Sequence, residues 1–164
     1  MRRLLVSLLL VGVLSNCAST ENSGSDYTLY LVRHAEKQAG GDSDPALDEA
    51  GQDRARHLAI LLKDKGITDI WSSDYLRTRS TAAPLAAKLG LEVKIYDAKD
   101  LQTLVSQLKQ RQHSALIVGH SNTTPELASL LCVCQVSEMQ ETEYDRLLVV
   151  SVQNDAVTLE TLVQ

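Results

Sequence analysis

Short apolar segments alternate with segments of helical periodicity along most of this chain, and this alternation restricts the fold more than any other feature. Buried strands are predicted at the apolar runs 27–32, 67–71, 91–96 and 115–118. Helices are predicted where apolar side chains recur at helical spacing, over residues 48–66, 76–89, 101–108 and 123–131. A closing pair of strands is predicted at 146–152 and 157–163, joined by a turn at Asn154 and Asp155. The pattern predicts an α/β fold, a three-layer α/β/α sandwich with a mostly parallel central sheet and a C-terminal β-hairpin.

Side chains that can carry chemistry lie just past the ends of the predicted strands. They are Arg33, His34, Arg77, Asp97 and His120. Because the carboxyl ends of parallel strands meet at one edge of a sheet, these residues can converge on one crevice despite their separation in the sequence. Arginine suits the oxygens of phosphates and carboxylates, and histidine can act as a nucleophile or exchange a proton near neutral pH. The strand ends therefore predict a site for an anionic ligand.

Length and composition set the outer limits of the interpretation. The chain has 164 residues, of which 44% are apolar and 23% are charged, and this fits one globular domain with an ordinary core. The formal net charge is -5, and loss of Arg2 and Arg3 with a leader would make it -7. Aromatic residues make up 4% of the chain. A negative charge and few stacking side chains argue against a nucleic-acid partner.

The first 17 residues are typical of an export signal. Arg2 and Arg3 are followed by an apolar run at 4–14, which is too short to cross a bilayer because a spanning helix needs about 20 residues. The end of this segment resembles a bacterial lipobox, and this resemblance implies that Cys17 is lipidated and becomes the mature N-terminus. Asn16 departs from the small residue that is usual before that cysteine, so plain secretion stays an alternative.

The chain after the predicted export signal divides into a tether and a folded domain. Residues 18–26 are polar and rich in serine, which predicts a flexible tether, and residues 27–164 form the predicted folded domain. Ala18 after the cysteine implies, by the same resemblance, the outer rather than the inner membrane. We expect the protein on the periplasmic side of a bacterial membrane, held there by an N-terminal lipid, or secreted.

Two further cysteines, Cys132 and Cys134, are separated by one residue. An exported domain permits a disulfide, but the ring that a Cys-x-Cys pair closes is small. A zinc site or a redox pair lacks partners at the spacing that such sites use. Structural cysteines, either buried or weakly bridged, are therefore expected here, and no metal site is predicted.

Four segments resemble motifs of the histidine phosphatase superfamily, also called phosphoglycerate mutase-like. Residues 31–36, Leu-Val-Arg-His-Ala-Glu, resemble its Arg-His-Gly signature with alanine in place of glycine. Residues 72–82 resemble the segment that carries its second arginine, and residues 118–123 the segment that carries its second histidine. Residues 47–51 resemble the start of its first helix. The motifs occur in the family's order, and the resemblance covers essentially all of the predicted domain.

The resemblance implies a role for each strand-end residue. His34 would be the nucleophile that forms a phosphohistidine, which water then hydrolyses. Arg33 and Arg77 would hold the nonbridging phosphate oxygens, and His120, as an imidazolium, would add a third cation. Since the protein supplies these cations, no metal ion and no cofactor are expected.

The sequence does not single out one residue that donates the proton to the leaving alcohol. The family takes an acid from a variable region, commonly after the second arginine, and Asp97 fits that position although the residues around it do not resemble the family's motif. A strand-end or cap carboxylate is the alternative for Asp97. Glu36 is a second candidate, with an ion pair to Lys37 or Arg79 as its alternative.

These inferences together predict a metal-independent phosphatase acting on phosphomonoesters. The segment between Arg77 and His120 has room for one strand and one helix, so a deep lid is not expected, and an open site favours a phosphatase over a mutase. The expected partner is a phosphorylated small molecule, a phosphorylated envelope component or a phosphoprotein, with the membrane contacted through the lipid. Two alternatives stay open, namely an anchored module that binds a phosphorylated ligand without turnover, and a phosphomutase.

Overall fold

The computed structural model describes residues 26–40 and 43–164 of the chain. The predicted signal segment, Cys17 and all of the tether except Asp26 lie outside the described residues. Within the described ranges, none of the helices combines the length and the apolar character that crossing a membrane would require.

The central sheet has six strands in the described residues. In chain order they are β1 (Tyr27–Arg33), β2 (Asp69–Ser73), β3 (Val93–Tyr96), β4 (Ala115–Gly119), β5 (Arg146–Gln153) and β6 (Ala156–Val163). Their order across the sheet is β3-β2-β4-β1-β5-β6. The first four strands are parallel, and β5 and β6 continue the sheet antiparallel to their neighbours. The predicted α/β class, the mostly parallel sheet and the C-terminal hairpin are confirmed.

Helices cover both faces of this sheet. They are α1 (Glu49–Leu62), α2 (Leu76–Leu89), α3 (Leu101–Arg111) and α4 (Thr123–Cys132). Side chains of α1 and α2, among them Leu58, Leu62 and Leu85, share one buried cluster with one face of the sheet. Side chains of α3 and α4, such as Leu104 and Leu127, form a second buried cluster on the other face. Strands that are buried on both sides read as continuous apolar runs, and for this reason the sequence pattern identified them.

The end of α2 agrees with the prediction from the sequence, and the end of α1 differs from it. α2 ends at Leu89 and Gly90 follows in the left-handed conformation at φ +67°, as the glycine predicted. α1 was expected to reach Gly66 but ends at Leu62. Leu62 is the last side chain of that helix to be buried, and residues 63–66 are exposed. The backbone therefore leaves the helix where packing on the sheet stops, and Gly66 adopts φ +68° in the turn that follows.

The first turn of α1 is packed tightly against the segment that follows β1. Asp48 caps the helix by accepting a hydrogen bond from the Gly51 amide at 2.8 Å. The Asp48 amide in turn donates to the Glu36 carbonyl at 3.1 Å. A Cβ atom at Gly51 would lie 2.1 Å from that same carbonyl oxygen, so only glycine permits this approach. The contact fixes the backbone two residues beyond His34.

Candidate active site

The carboxyl ends of β1, β2 and β4 meet at one edge of the sheet and surround a cavity of about 400 Å³. Six of its lining side chains are cationic or can become so: Arg33, His34, Lys37, Arg77, Lys99 and His120. One carboxylate, that of Glu141, lines the cavity with them. The structure thus brings four of the five predicted catalytic residues together, and Asp97 is not among the lining residues. The charge of the lining suits an anionic ligand.

His34 lies at the end of β1 and is 4% exposed. Its Nδ1 lies 2.8 Å from the Ala35 carbonyl oxygen. A carbonyl oxygen can only accept, so Nδ1 carries the proton and Nε2 keeps its lone pair. The backbone of this turn is held by the Ala35 amide, which donates to Thr81 Oγ1 at 2.9 Å, and by the His34 amide, which donates to the Gly119 carbonyl at 2.9 Å. The result is a fixed imidazole in the tautomer that a nucleophile requires.

Arg33 is 3% exposed, and the segment before β5 holds it in place. Its Nη1 donates to the carbonyl oxygens of Gln140, Glu141 and Glu143 at 3.0, 2.8 and 3.1 Å. Its Nη2 donates to Glu141 Oε2 at 2.9 Å, and the guanidinium stacks on the Tyr144 ring at 4.2 Å. The Arg33 Nε is buried and has no acceptor among the described residues.

Arg77 lies in the first turn of α2 and resembles Arg33 in its contacts. Its guanidinium stacks on the Tyr75 ring at 4.4 Å, and its Nη1 donates to Asp44 Oδ1 at 3.3 Å. Its Nε is buried without an acceptor in the described part of the chain. Buried donors are normally satisfied, and an unpaired one needs an explanation. Both arginines that line the cavity therefore have a buried Nε–H group without an acceptor among the described residues.

His120 follows β4 and faces His34 across the cavity, with ring centroids 5.6 Å apart. Its Nε2 lies 2.9 Å from Ser73 Oγ, and its ring makes an edge contact with Tyr75 at 4.9 Å. Its backbone amide donates to Thr123 Oγ1 at 2.9 Å. These contacts come from β2, from the loop before α2 and from α4, so three elements fix this one ring.

The surroundings of the two histidines favour their neutral forms. Burial, and then the charges of Arg33 and Arg77, lowers the pKa of His34 from 6.5 to about 4, against the opposing effect of its hydrogen bond to Ala35. Burial, followed by Arg77 and Arg33, likewise lowers the pKa of His120 to about 4. His34 is therefore ready to attack at neutral pH. The imidazolium form of His120 that the resemblance implies stays a prediction, and burial, followed by Arg77 and Arg33, opposes that form here.

The two carboxylates considered as acids lie away from the cavity lining. Asp97 is exposed and accepts a hydrogen bond from the Lys99 amide at 2.9 Å, the local arrangement that was its structural alternative. It lines two neighbouring surface pockets rather than this cavity. Glu36 accepts three hydrogen bonds from Arg54, at 2.6, 2.9 and 3.0 Å. The expected partners of Glu36, Lys37 and Arg79, are therefore replaced by a residue on α1.

Four residues of the site were not identified as candidates from the sequence. Ser73, Tyr75, Asp44 and Glu141 contact the arginines and histidines described above. Glu141 comes from the segment after α4, which has no apolar periodicity and lies far along the chain from β1. A side chain that reaches the site through such a segment can be found only from the folded structure.

The described residues contain no group of three or more histidine, cysteine, aspartate or glutamate side chains placed to hold a metal ion. Cys132 and Cys134 form a disulfide at the end of α4. Of the two expected alternatives, buried or bridged, the cysteines are bridged, and Cys134 is exposed. Neither cysteine lines the cavity.

Comparison with known proteins finds one protein family that is similar to part of this chain. Residues 29–102 match the model of the histidine phosphatase superfamily (branch 1). A probable phosphoglycerate mutase of Escherichia coli O139:H28, GpmB, is 34% identical over 107 residues, which cover 62% of this chain and 49% of the relative. The chain thus spans about half the length of the curated relatives it matches.

Solved structures show the same fold at low sequence identity. A mycobacterial glucosyl-3-phosphoglycerate phosphatase has a TM-score of 0.64 at 16% identity, covering 85% of this chain and 98% of that one. The protein histidine phosphatase SixA, solved with tungstate, has a TM-score of 0.67 at 20% identity, covering 83% and 96%. The α-ribazole phosphatase of Shigella flexneri has a TM-score of 0.68 at 16% identity, covering 84% and 96%.

Proposed function

This chain belongs to the histidine phosphatase superfamily, and from that premise we propose that it hydrolyses phosphomonoesters through a phosphohistidine on His34, without a metal ion. The observation that carries the proposal is the pairing of two features in one cavity. His34 presents a neutral Nε2, because its Nδ1 proton is committed to the Ala35 carbonyl. Arg33 and Arg77 each keep a buried Nε donor without an acceptor in the described residues.

This pairing fits the needs of phosphoryl transfer. The nucleophile must be a neutral nitrogen with a fixed direction, and the nonbridging oxygens must be held by preorganised donors. In the first step the Nε2 lone pair attacks phosphorus, the bond from phosphorus to the leaving oxygen breaks, and the leaving oxygen takes up a proton. In the second step water attacks the phosphohistidine, the phosphorus–nitrogen bond breaks, and its electron pair returns to Nε2.

The charge that we propose for His120 depends on whether phosphate is bound. Burial, followed by the charges of Arg77 and Arg33, lowers the pKa of His120 and favours its neutral form. A bound phosphate dianion would offset those charges and raise the pKa of His120. His120 then becomes the third cation only while phosphate is bound, and it donates to a phosphate oxygen from a ring that Ser73 and Tyr75 keep in place.

Hydrolysis is favoured over transfer to a second hydroxyl by the surroundings of the cavity. Between Arg77 and His120 the chain forms only the rest of α2, then β3, α3 and β4. Exposed side chains, among them Lys37, Lys99 and Asn122, form part of the lining, so water has access. A mutase must instead protect its phosphohistidine from water.

We extend this proposal to the class of substrate and to the location of the protein. The cationic lining suits a phosphorylated small molecule, a phosphorylated envelope component or a phosphoprotein. Attachment to the periplasmic side of a membrane through lipidated Cys17 remains a prediction from the sequence.

The proposal is tested by hydrolysis of p-nitrophenyl phosphate with the full chain in the presence of EDTA. Wild-type protein should turn over, and His34→Ala should lose activity by at least about 1,000-fold, since the nucleophile is gone. His57→Ala is the matched control, because His57 is exposed on α1 away from the cavity. Phosphate binding without turnover across a panel of esters would instead show a binding module, and transfer of phosphate to an added alcohol would show a mutase.

A further inference from the structure

The leaving oxygen takes up a proton in the first step, and neither His34 nor the two arginines of the cavity can supply that proton. Alkoxide leaving groups need a proton in the transition state, and a positioned carboxylic acid typically supplies about 100- to 10,000-fold in rate. Glu36 is engaged by Arg54 through both carboxylate oxygens, and Asp97 accepts from the Lys99 amide outside the cavity lining. The carboxylate that lines the cavity is that of Glu141.

Glu141 is held in two ways that aim it at the cavity. Its Oε1 accepts from Ser121 Oγ at 2.5 Å, and its Oε2 accepts from Arg33 Nη2 at 2.9 Å. Its own backbone carbonyl is also one of the three that hold Arg33 Nη1. The side chain is 78% exposed, so it sits at the mouth of the cavity. A phosphate placed between the arginines would have its ester oxygen turned outward, because the nucleophile His34 is buried beneath it.

We propose that Glu141 is the general acid and base of this site. The assignment rests on the proposed phosphohistidine route and goes beyond it by naming the proton donor. In the first step the Glu141 carboxylic acid gives its proton to the leaving oxygen as the phosphorus–oxygen bond breaks, which leaves the alcohol, phospho-His34 and the Glu141 carboxylate. In the second step that carboxylate takes a proton from the attacking water, and Glu141 is again an acid when phosphate is released.

The charges around Glu141 couple its protonation to the substrate. The groups that face it are Arg33, His34 and Lys37, together with the ring of His120. The hydrogen bond from Ser121, followed by Arg33, His34 and Lys37, lowers the pKa of the Glu141 carboxyl. A phosphate dianion competes for Arg33 and brings negative charge beside the carboxylate, and both effects raise that pKa. Substrate binding therefore favours the protonated acid when it is needed.

The test compares two esters whose leaving groups differ in their need for a proton. p-Nitrophenolate leaves without protonation, whereas the alkoxide of glycerol 2-phosphate requires it. For Glu141→Gln in the full chain we compare kcat/KM, which reports formation of phospho-His34 and not its hydrolysis. We expect kcat/KM for the glycerol ester to fall by about 100-fold or more, and kcat/KM for the nitrophenyl ester by less than about 10-fold. Glu138→Gln is the matched control, because Glu138 is an exposed glutamate of the same segment that does not line this cavity.

The outcomes separate this assignment from the proposed function. A purely structural role of Glu141 on Arg33 would lower kcat/KM for both esters by the same factor, and this result would overturn the assignment while hydrolysis through His34 stands. A loss confined to the glycerol ester in Asp97→Asn instead of Glu141→Gln would transfer the role to Asp97. If the wild type hydrolyses neither ester, the proposed function itself fails. Glu141→Asp should restore part of the glycerol ester activity, because it keeps an acid at the same position.

Discussion

Protonation of His34 should set a measurable part of the pH dependence of stability. The imidazole is 4% exposed, and its pKa is lowered from 6.5 to about 4 in the folded protein. The unfolded chain therefore binds this proton more strongly than the folded chain, and stability falls as pH drops from 6.5 to about 4. At about 1.4 kcal/mol for each pH unit between the two pKa values, the loss is about 3 kcal/mol.

The change that isolates this effect is His34→Gln, which leaves a polar side chain that does not titrate. The difference in unfolding free energy between wild type and His34→Gln should shift by about 3 kcal/mol between pH 7 and pH 4, in favour of the variant at low pH. Trp71 is the only tryptophan of the chain and is 7% exposed, so its fluorescence reports unfolding in urea.

Two controls define the outcome. His57→Gln changes an exposed histidine and should follow the wild-type curve at every pH. Added inorganic phosphate at neutral pH should stabilise the wild type, since it binds the folded state. Parallel stability curves for wild type and His34→Gln from pH 7 to pH 4 would refute the argument that burial and the two arginines keep this ring neutral.

Three further substitutions test how the backbone around the site is held. Gly51→Ala places a Cβ atom 2.1 Å from the Glu36 carbonyl oxygen and should cost about 1–3 kcal/mol in urea unfolding, whereas an unchanged midpoint would show that α1 can move away freely. Thr81→Val removes the acceptor of the Ala35 amide and should cost about 1–3 kcal/mol and lower kcat, because the same turn orients His34; unchanged kcat would contradict this role. Tyr96→Phe removes a buried hydrogen bond of 3.2 Å to the Val118 carbonyl and should cost about 1 kcal/mol without altering the pH profile of kcat, and a changed profile would link Tyr96 to the chemistry.

The sequence predicts the part of the site that depends on strand ends. Arg33 ends β1, His34 follows it, and His120 follows β4, so the parallel pairing of these strands brings them together. Arg77 enters because α2 begins just after β2. Such residues are predictable because apolar runs mark buried strands and parallel strands share one edge.

The parts that the sequence does not predict depend on contacts between distant segments. Asp97 fits a position after a strand, yet its side chain turns to the amide of Lys99. Glu36 pairs with Arg54 because α1 packs against the end of β1 at Gly51. The lowered pKa of His120 likewise follows from its burial and from the approach of Arg77 and Arg33, and both depend on the folded structure.

The end of α1 and the approach of Glu141 have the same physical origin. A helix ends where its apolar face runs out of partners, and the length of that face depends on the sheet beneath it. Residues 133–145 have no regular periodicity, and the hydrogen bonds from Arg33 to their carbonyl oxygens decide where they lie. Sequence patterns describe regular elements well, and they say little about segments held by single polar side chains.

The most direct test of the account is rapid quenching of the full chain during turnover of p-nitrophenyl phosphate, followed by mass spectrometry of the quenched protein under alkaline conditions. We expect an acid-labile phosphoryl group on the peptide that contains His34, formed at the rate of the nitrophenolate burst and also formed in EDTA. Turnover without any phosphoenzyme, or a phosphoryl group on His120 with His34 unmodified, would contradict it.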